Sequence, residues 1–198
     1  MIIGITGGIG SGKSTIAKQL RDMGYRVYDT DSEAKRLIVE DTHVRQQIEQ
    51  LFGSEVYKDG IYQTALVAQR VFADHSLLAK LNAIVHPAVK ADIMNRVSRL
   101  ASLNSRIGNQ KNLFFIECAI LYQAGFDTLC DKVVAVTAPE DVRLARAVAR
   151  DHSTIEKVRA RIHAQEAEKD VKRADIVINN DGQTPILTLC EEILRFLQ

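Results

Sequence analysis

Residues 7–14 read Gly-Gly-Ile-Gly-Ser-Gly-Lys-Ser, which fits the spacing G-x-x-x-x-G-K-[ST] of a phosphate-binding P-loop. Ahead of it, Ile2-Ile3-Gly4-Ile5 is short and apolar enough for a buried strand. Behind it, residues 15–20 place Ile16 and Leu20 one helical turn apart. Strand, glycine-rich loop and helix in that order are the context the motif needs. Few other features of a chain restrict its fold as tightly.

The residue types follow from the chemistry. A polyphosphate needs many donors close to its oxygens, and side chains obstruct that approach. Gly7, Gly8, Gly10 and Gly12 let the backbone turn sharply and come near. The N–H groups of Gly10, Ser11, Gly12, Lys13, Ser14 and Thr15 are then expected to form an anion nest at a helix N-terminus. Lys13 adds a full charge toward the outer phosphates. Ser14 offers a hydroxyl to Mg²⁺ bridging them, and is the metal-ligand candidate.

Composition bounds the rest. A length of 198 residues suits one core with a smaller subdomain. A formal net charge of +1 implies no general attraction to nucleic acid or anionic lipid. The longest apolar run, 113–121, contains Glu117 and falls short of the ~18 residues of a membrane span. The chain enters a strand at once, with no basic leader. Cys118, Cys130 and Cys190 have neither C-x-x-C nor zinc spacing. Both features predict a cytoplasmic protein in a reducing compartment.

Taken in order, the first helix is expected to stop near Gly24, before a strand at Tyr25-Arg26-Val27-Tyr28. Asp29 and Asp31 follow at the carboxyl edge of that strand, where open α/β sheets bind ligands. If the chain stays extended, both carboxylates point the same way. One could take a proton from an acceptor hydroxyl and either could hold Mg²⁺ through water; alternatively Asp29 caps a helix starting at Ser32. Residues 32–102 read as mainly helical, with a small hairpin around Asp59-Gly60. His86-Pro87 is expected to break the chain, with Pro87 opening the next helix. His86 is either structural or a ligand contact. Residues 104–109 read as a loop. An insertion of this size is either an extra packed layer or an acceptor-binding subdomain.

Leu113-Phe114-Phe115-Ile116-Glu117 and Lys132-Val133-Val134-Ala135-Val136 read as buried strands, the first ending in an acid. Arg143, Arg146 and Arg150 fall on one helical stripe. They form either a solvated face paired with Glu140, Asp141 and Asp151, or a clamp on the β/γ-phosphates. Residues 151–166 carry few large apolar side chains, as suits a mobile lid. Residues 174–178 read as a last strand and Asn179-Asn180-Asp181-Gly182 as a turn where an adenine could meet backbone groups.

The segment Thr6-Gly7-Gly8-Ile9-Gly10-Ser11-Gly12-Lys13-Ser14-Thr15 resembles the opening of dephospho-coenzyme A kinases. Asp29-Thr30-Asp31 looks like their D-A-D, Val71-Phe72 like their "VF", and residues 81–87 like their "LN-x-I-x-HP". Arg146 to Arg150, Gln165 and residues 174–182 follow their later segments, so the likeness spans nearly the whole chain. It implies an α/β fold: a P-loop NTPase three-layer αβα core with a five-stranded parallel sheet, a helical acceptor domain and a helical lid. The core would comprise 1–31, 111–139 and 174–198, the acceptor domain 32–110 and the lid 140–173. The resemblance further implies that ATP with Mg²⁺ phosphorylates the ribose 3′-hydroxyl of dephospho-CoA. By that comparison Asp31 is the base, Lys13, Arg146 and Arg150 stabilise the moving phosphoryl group, Gly182 borders the nucleotide, and Asp29 and His86 border the acceptor. A monomer or weak homo-oligomer is expected, with no nucleic acid or membrane partner. Rival readings are another small-molecule P-loop kinase or a nucleotide switch, although the D-x-x-G and [NT]-K-x-D motifs of GTPase switches are absent. The sequence departs from the family where "PLL-[FY]-E" is replaced by Ala119-Ile120-Leu121-Tyr122-Gln123, leaving Glu117 to stand in partly for the lost acid.

Overall fold

A computed structural model describes residues 1–107, 112–165 and 167–198. In chain order the elements are β1 (Ile2–Gly7), α1 (Lys13–Asp22), β2 (Arg26–Asp29), α2 (Thr30–Glu40), α3 (Thr42–Phe52), β3 (Tyr57–Lys58), β4 (Ile61–Tyr62), α4 (Thr64–Ala73) and α5 (Ser76–Ile107). There follow β5 (Phe114–Glu117), β6 (Lys132–Thr137), α6 (Glu140–Asp151), α7 (Ile155–Ala164), α8 (Ala167–Arg173), β7 (Ile176–Asn179) and α9 (Ile186–Phe196). The chain divides into two compact units, Met1–Asp29 with Asn109–Gln198, and Thr30–Gly108.

The first unit is built on a parallel sheet in the order β2-β5-β1-β6-β7. Continuous apolar strands suit a sheet covered on both faces. Ile3, Ile5, Phe115, Val134, Val136 and Ile178 are buried in one cluster with Ile16 and Leu20 of α1 and Leu189, Cys190 and Ile193 of α9. On this scaffold register decides what meets what. Asp29 of β2 pairs with Glu117 of β5, and Glu117 pairs with Ile5 of β1. Strands β2 and β5 therefore end level at the carboxyl edge, and β1 runs two residues further, to Gly7, before its loop. Helices α6 and α7 bury Ala147, Val158 and Ile162 in a cluster of their own, with Ile9 of the glycine-rich loop packed against it. The apolar-poor stretch 151–166 thus has a small core, and Thr154 Oγ1 caps α7 by accepting from the N–H of Lys157 (3.4 Å).

The second unit packs α2, α3 and α4 on the long helix α5. Here two expectations fail. The chain does not break at His86-Pro87: α5 passes through Pro87 without interruption. Proline removes one backbone bond, but Val85, Val89 and Ile93 keep burying one face of the helix on either side of it. Residues 104–107, read as a loop, continue the same helix, and 108–109 lie outside the described residues. The Asp59-Gly60 hairpin forms as expected, with φ of 52° and 78° at its two turn residues. A lattice of charges fixes α2 on α5. Glu33 Oε2 accepts from Arg36 Nε (2.6 Å) and Arg96 Nη2 (2.5 Å). Asp92 Oδ2 accepts from Arg36 Nη2 (3.0 Å) and Arg96 Nε (3.1 Å). Each carboxylate is shared by both guanidiniums, a networked geometry worth more than isolated surface pairs. It anchors the first turn of α2, which carries Asp31.

Candidate active site

The glycine-rich loop adopts conformations that only glycine takes without strain. Gly10 and Gly12 have φ of 77° and 89°. A Cβ at Gly10 would strike the carbonyl oxygen of Arg143, and one at Gly12 the Nδ2 of Asn180. Helix α1 begins at Lys13, two residues earlier than its apolar periodicity indicated, and no side chain caps it. Its N-terminus therefore opens directly onto the loop, with the positive end of the helix dipole behind it.

The outer side of the loop is held by groups from three later segments. Gln165 Oε1 accepts from the N–H of Ile9 (2.7 Å), and Arg143 Nε donates to the Ile9 carbonyl (2.9 Å). Arg146 Nη1 donates to the carbonyls of Asn180 (3.1 Å) and Gly10 (3.5 Å), and its Nη2 to Asn180 Oδ1 (3.2 Å). Asn180, 2% exposed, closes the ring by donating from Nδ2 to the carbonyl of Ser11 (3.0 Å). A Cβ at Gly182 would lie 3.2 Å from Arg146 Nη2, so the turn after β7 also lies against this arginine. Among the arginine stripe, then, Arg143 and Arg146 reach the loop. Arg150 instead donates to Asp151 Oδ1 (2.7 Å) and Oδ2 (3.1 Å), and Asp151 also receives Arg161 (2.7 Å). The two cations hold the Asp151 carboxyl well below the usual range.

On the inner side, Ser14 Oγ donates to Glu117 Oε1 (2.7 Å). Glu117 is 7% exposed, and burial pushes its pKa up. The Ser14 hydroxyl and the Lys13 charge oppose that rise, Asp29 adds to it, and Arg21 opposes it. A cation arriving here would favour the ionised carboxylate. Among the described residues no group of three His, Cys, Asp or Glu is placed to hold a metal alone. Ser11 Oγ, buried inside the loop with no hydrogen-bond partner among the described residues, is a further unspent polar group at the cradle.

Asp29 closes β2 and helix α2 starts at Thr30, not at Ser32. The extended geometry that would aim both carboxylates the same way is therefore absent. Asp31 is exposed in the first turn of α2, two residues beyond the strand end. His86 is half-buried in α5; burial, and next Lys90, lower its pKa and keep it neutral near pH 7. Asn180 and Arg143 are the residues the motif reading underweighted. The Asn-rich turn was visible, but the amide bond to the Ser11 carbonyl depends on β7 lying beside β6.

Gln123, where the resembling family has Glu, donates from Nε2 to Asp170 (3.2 and 3.4 Å), and Asp170 is 4% exposed. A carboxylate at 123 would face a buried carboxylate, so the amide is the residue this site calls for. Gln123→Glu is expected to cost about 1–2 kcal/mol. The folded variant would hold a proton more tightly than its unfolded chain, so its loss relative to wild type should grow as pH rises above about 4.5 and level off within roughly 1.5 pH units, the span of a penalty of about 1–2 kcal/mol. Urea melts at about pH 4 and about pH 7 check this; equal losses at both would remove the explanation.

The fold and this loop define a P-loop phosphotransferase. The dephospho-CoA kinase family model matches residues 1–185. A protein named dephospho-CoA kinase from Porphyromonas gingivalis is 43% identical over 172 residues, covering 87% of this chain and 81% of the relative. One of the same name from Chlorobaculum tepidum is 42% identical over 188 residues, covering 92% and 87%. Among solved structures, TT1252 from Thermus thermophilus matches with a TM-score of 0.79 at 35% identity, covering 100% of this chain and 95% of that one. Shikimate kinase from Acinetobacter baumannii, at 17% identity and a TM-score of 0.56 over 99% and 92%, shares the fold. This chain belongs to the dephospho-CoA kinase family.

Proposed function

We propose that this protein transfers the γ-phosphoryl group of ATP to the ribose 3′-hydroxyl of dephospho-CoA, giving coenzyme A and ADP, the last step of CoA synthesis. Family membership supports the substrate pair, and the observation that carries the chemistry is the Ser14–Glu117 contact beside the uncapped N-terminus of α1. The loop amides bind the β- and γ-phosphates, and Lys13 puts a compact positive charge on the outer oxygens. Mg²⁺, when bound, neutralises charge between those phosphates; Ser14 and Glu117 would hold it, with Asp29 reaching it through water. Asp31 accepts the proton of the attacking hydroxyl, and the hydroxyl oxygen displaces ADP in line. Arg146 keeps the loop in register through Gly10 and Asn180. Arg150 reaches the phosphates only by exchanging Asp151 for them, which gives the α6–α7 segment a reason to move on nucleotide binding. His86 borders the acceptor.

Release of ADP from Mg-ATP is the test. Turnover is expected with dephospho-CoA and not with nucleoside monophosphates, shikimate or water. Turnover without an acceptor, or with GTP alone, would replace this reading by a nucleotide switch.

A further inference from the structure

Ile9 of the glycine-rich loop is held by the α6–α7 segment at its side chain, its N–H and its carbonyl. The side chain packs against the cluster of Ala147, Val158 and Ile162. The N–H donates to Oε1 of Gln165, the residue that closes the C-terminus of α7 (2.7 Å). The carbonyl accepts from Nε of Arg143, in the first turn of α6 (2.9 Å). Both stems of that helical hairpin therefore meet at one residue of the loop. A Cβ at Gly10 would strike the Arg143 carbonyl oxygen, so the backbone of α6 also abuts the next residue.

The two peptide planes on either side of Ile9 need such support. Gly8 and Gly10 flank it, and glycine takes either sign of φ, so a plane beside one can turn over at little steric cost. In the plane joining Gly8 to Ile9, the Gly8 carbonyl accepts from the N–H of Ser11 (3.1 Å) and Gln165 takes the Ile9 N–H. In the next plane Arg143 takes the Ile9 carbonyl. Three of the four polar groups in the two planes are thus occupied. The fourth, the N–H of Gly10, meets no acceptor among the described residues. The peptide is trans, so this N–H points away from Arg143 and from α6.

We propose that Gln165 and Arg143 are positioning residues that fix these two planes and so present the Gly10 N–H to the outer phosphates of ATP. The inference deepens the function proposed above and takes from it only the donor nucleotide. With the carbonyl of Ile9 held outward, an N–H faces the phosphate oxygens and gives a charge-assisted hydrogen bond. With the plane turned over, the carbonyl oxygen faces the phosphates and repels them. Neither side chain has to touch the nucleotide to decide between the two. Gly10 supplies the freedom that lets the loop wrap a phosphate, and the α6–α7 segment removes the part of that freedom that would be harmful.

NMR of protein labelled at its glycine nitrogens reads the orientation directly. When Mg²⁺ and a non-hydrolysable ATP analogue are added to wild type, the Gly10 amide proton should move strongly downfield, as an amide does on bonding an anionic oxygen. Gln165→Met keeps the length of the side chain and removes its acceptor oxygen, and Arg143→Leu removes the donor to the Ile9 carbonyl. In each variant the Gly10 proton should move less than half as far. Calorimetry should show Kd for the analogue raised about tenfold, the worth of one charge-assisted bond, with KM for dephospho-CoA within twofold of wild type. Thr154→Val removes the cap of α7 without touching Ile9 and should leave both the Gly10 shift and the Kd at wild-type values. A full Gly10 shift in both clamp variants would overturn the assignment. So would the same losses in Thr154→Val, because the effect would then be a general loosening of α7. A wild type that shows the Gly10 shift yet leaves dephospho-CoA unphosphorylated sinks the proposed function and keeps the clamp.

Discussion

Lys13→Ala is expected to lower kcat/KM by about 10³-fold, with most of the loss in kcat. Lys13 is the first residue of α1, and the Ser11 carbonyl just ahead of it accepts from Asn180 Nδ2 (3.0 Å), so its ammonium extends from a fixed point. Phosphoryl transfer spreads charge over the outer oxygens of the migrating group, and a cation fixed in advance stabilises that charge without reorganising. Lys13→Arg should not restore the rate. The planar guanidinium is larger than the ammonium and demands a fork of acceptors, whereas the cradle is shaped around a point charge. The prediction carries a second readout inside the site. Lys13 is one of the charges that hold the buried Glu117 carboxyl down. Without it the pKa of Glu117 should rise further, so activity in Lys13→Ala should need a higher pH than in wild type. Steady-state kinetics across pH 6–9 would measure both effects. A variant with wild-type turnover would show that the triphosphate binds elsewhere.

The reach of the sequence differed by type of signal. Residues 7–14 announced the loop, the helix after it and the parallel sheet, because the motif works only at one kind of strand–helix junction. The buried strands around Phe115 and Val134 were legible for a related reason: a covered parallel strand is a continuous apolar run. The errors came where local rules compete with burial. Pro87 is a helix breaker by its own chemistry, yet Val85, Val89 and Ile93 bury one face across it and α5 continues. The run 104–109 looked like a loop because it is polar and contains a glycine, yet the backbone carries α5 on to Ile107. Side-chain partnerships were the least legible. The stripe of arginines was plain, but that Arg146 binds the carbonyls of Gly10 and Asn180 while Arg150 turns to Asp151 depends on strand order and on a capping turn. The exchange of an expected Glu for Gln123 made no sense alone and becomes intelligible beside Asp170, 47 positions later. Residues 30–108 separate as a unit of their own, and the α6–α7 segment builds its small core against Ile9.

Asp31→Asn separates binding from chemistry most cleanly. The substitution keeps the shape of the side chain and one acceptor oxygen but cannot take a proton at neutral pH. Its expected effect is a fall in kcat of about 10²-fold or more, with KM for ATP unchanged. Exposure supports assigning the role to Asp31 over Glu117 and Asp29. Glu117 is buried and its Oε1 accepts from Ser14 of the phosphate loop. Asp29 is the register partner of Glu117 and raises its pKa, which gives it the same side of the problem. Asp31 alone of the three is exposed, in the first turn of a helix held by the Glu33–Arg36–Asp92–Arg96 lattice. That combination, an accessible carboxylate on an immobilised helix, is what a general base acting on an incoming hydroxyl requires. Asp29→Asn should instead raise the Mg²⁺ concentration needed for half-maximal rate and keep kcat near wild type once Mg²⁺ is saturating. If Asp31→Asn turns over normally and Asp29→Asn loses kcat at saturating Mg²⁺, the two roles are exchanged and the base lies at the strand end.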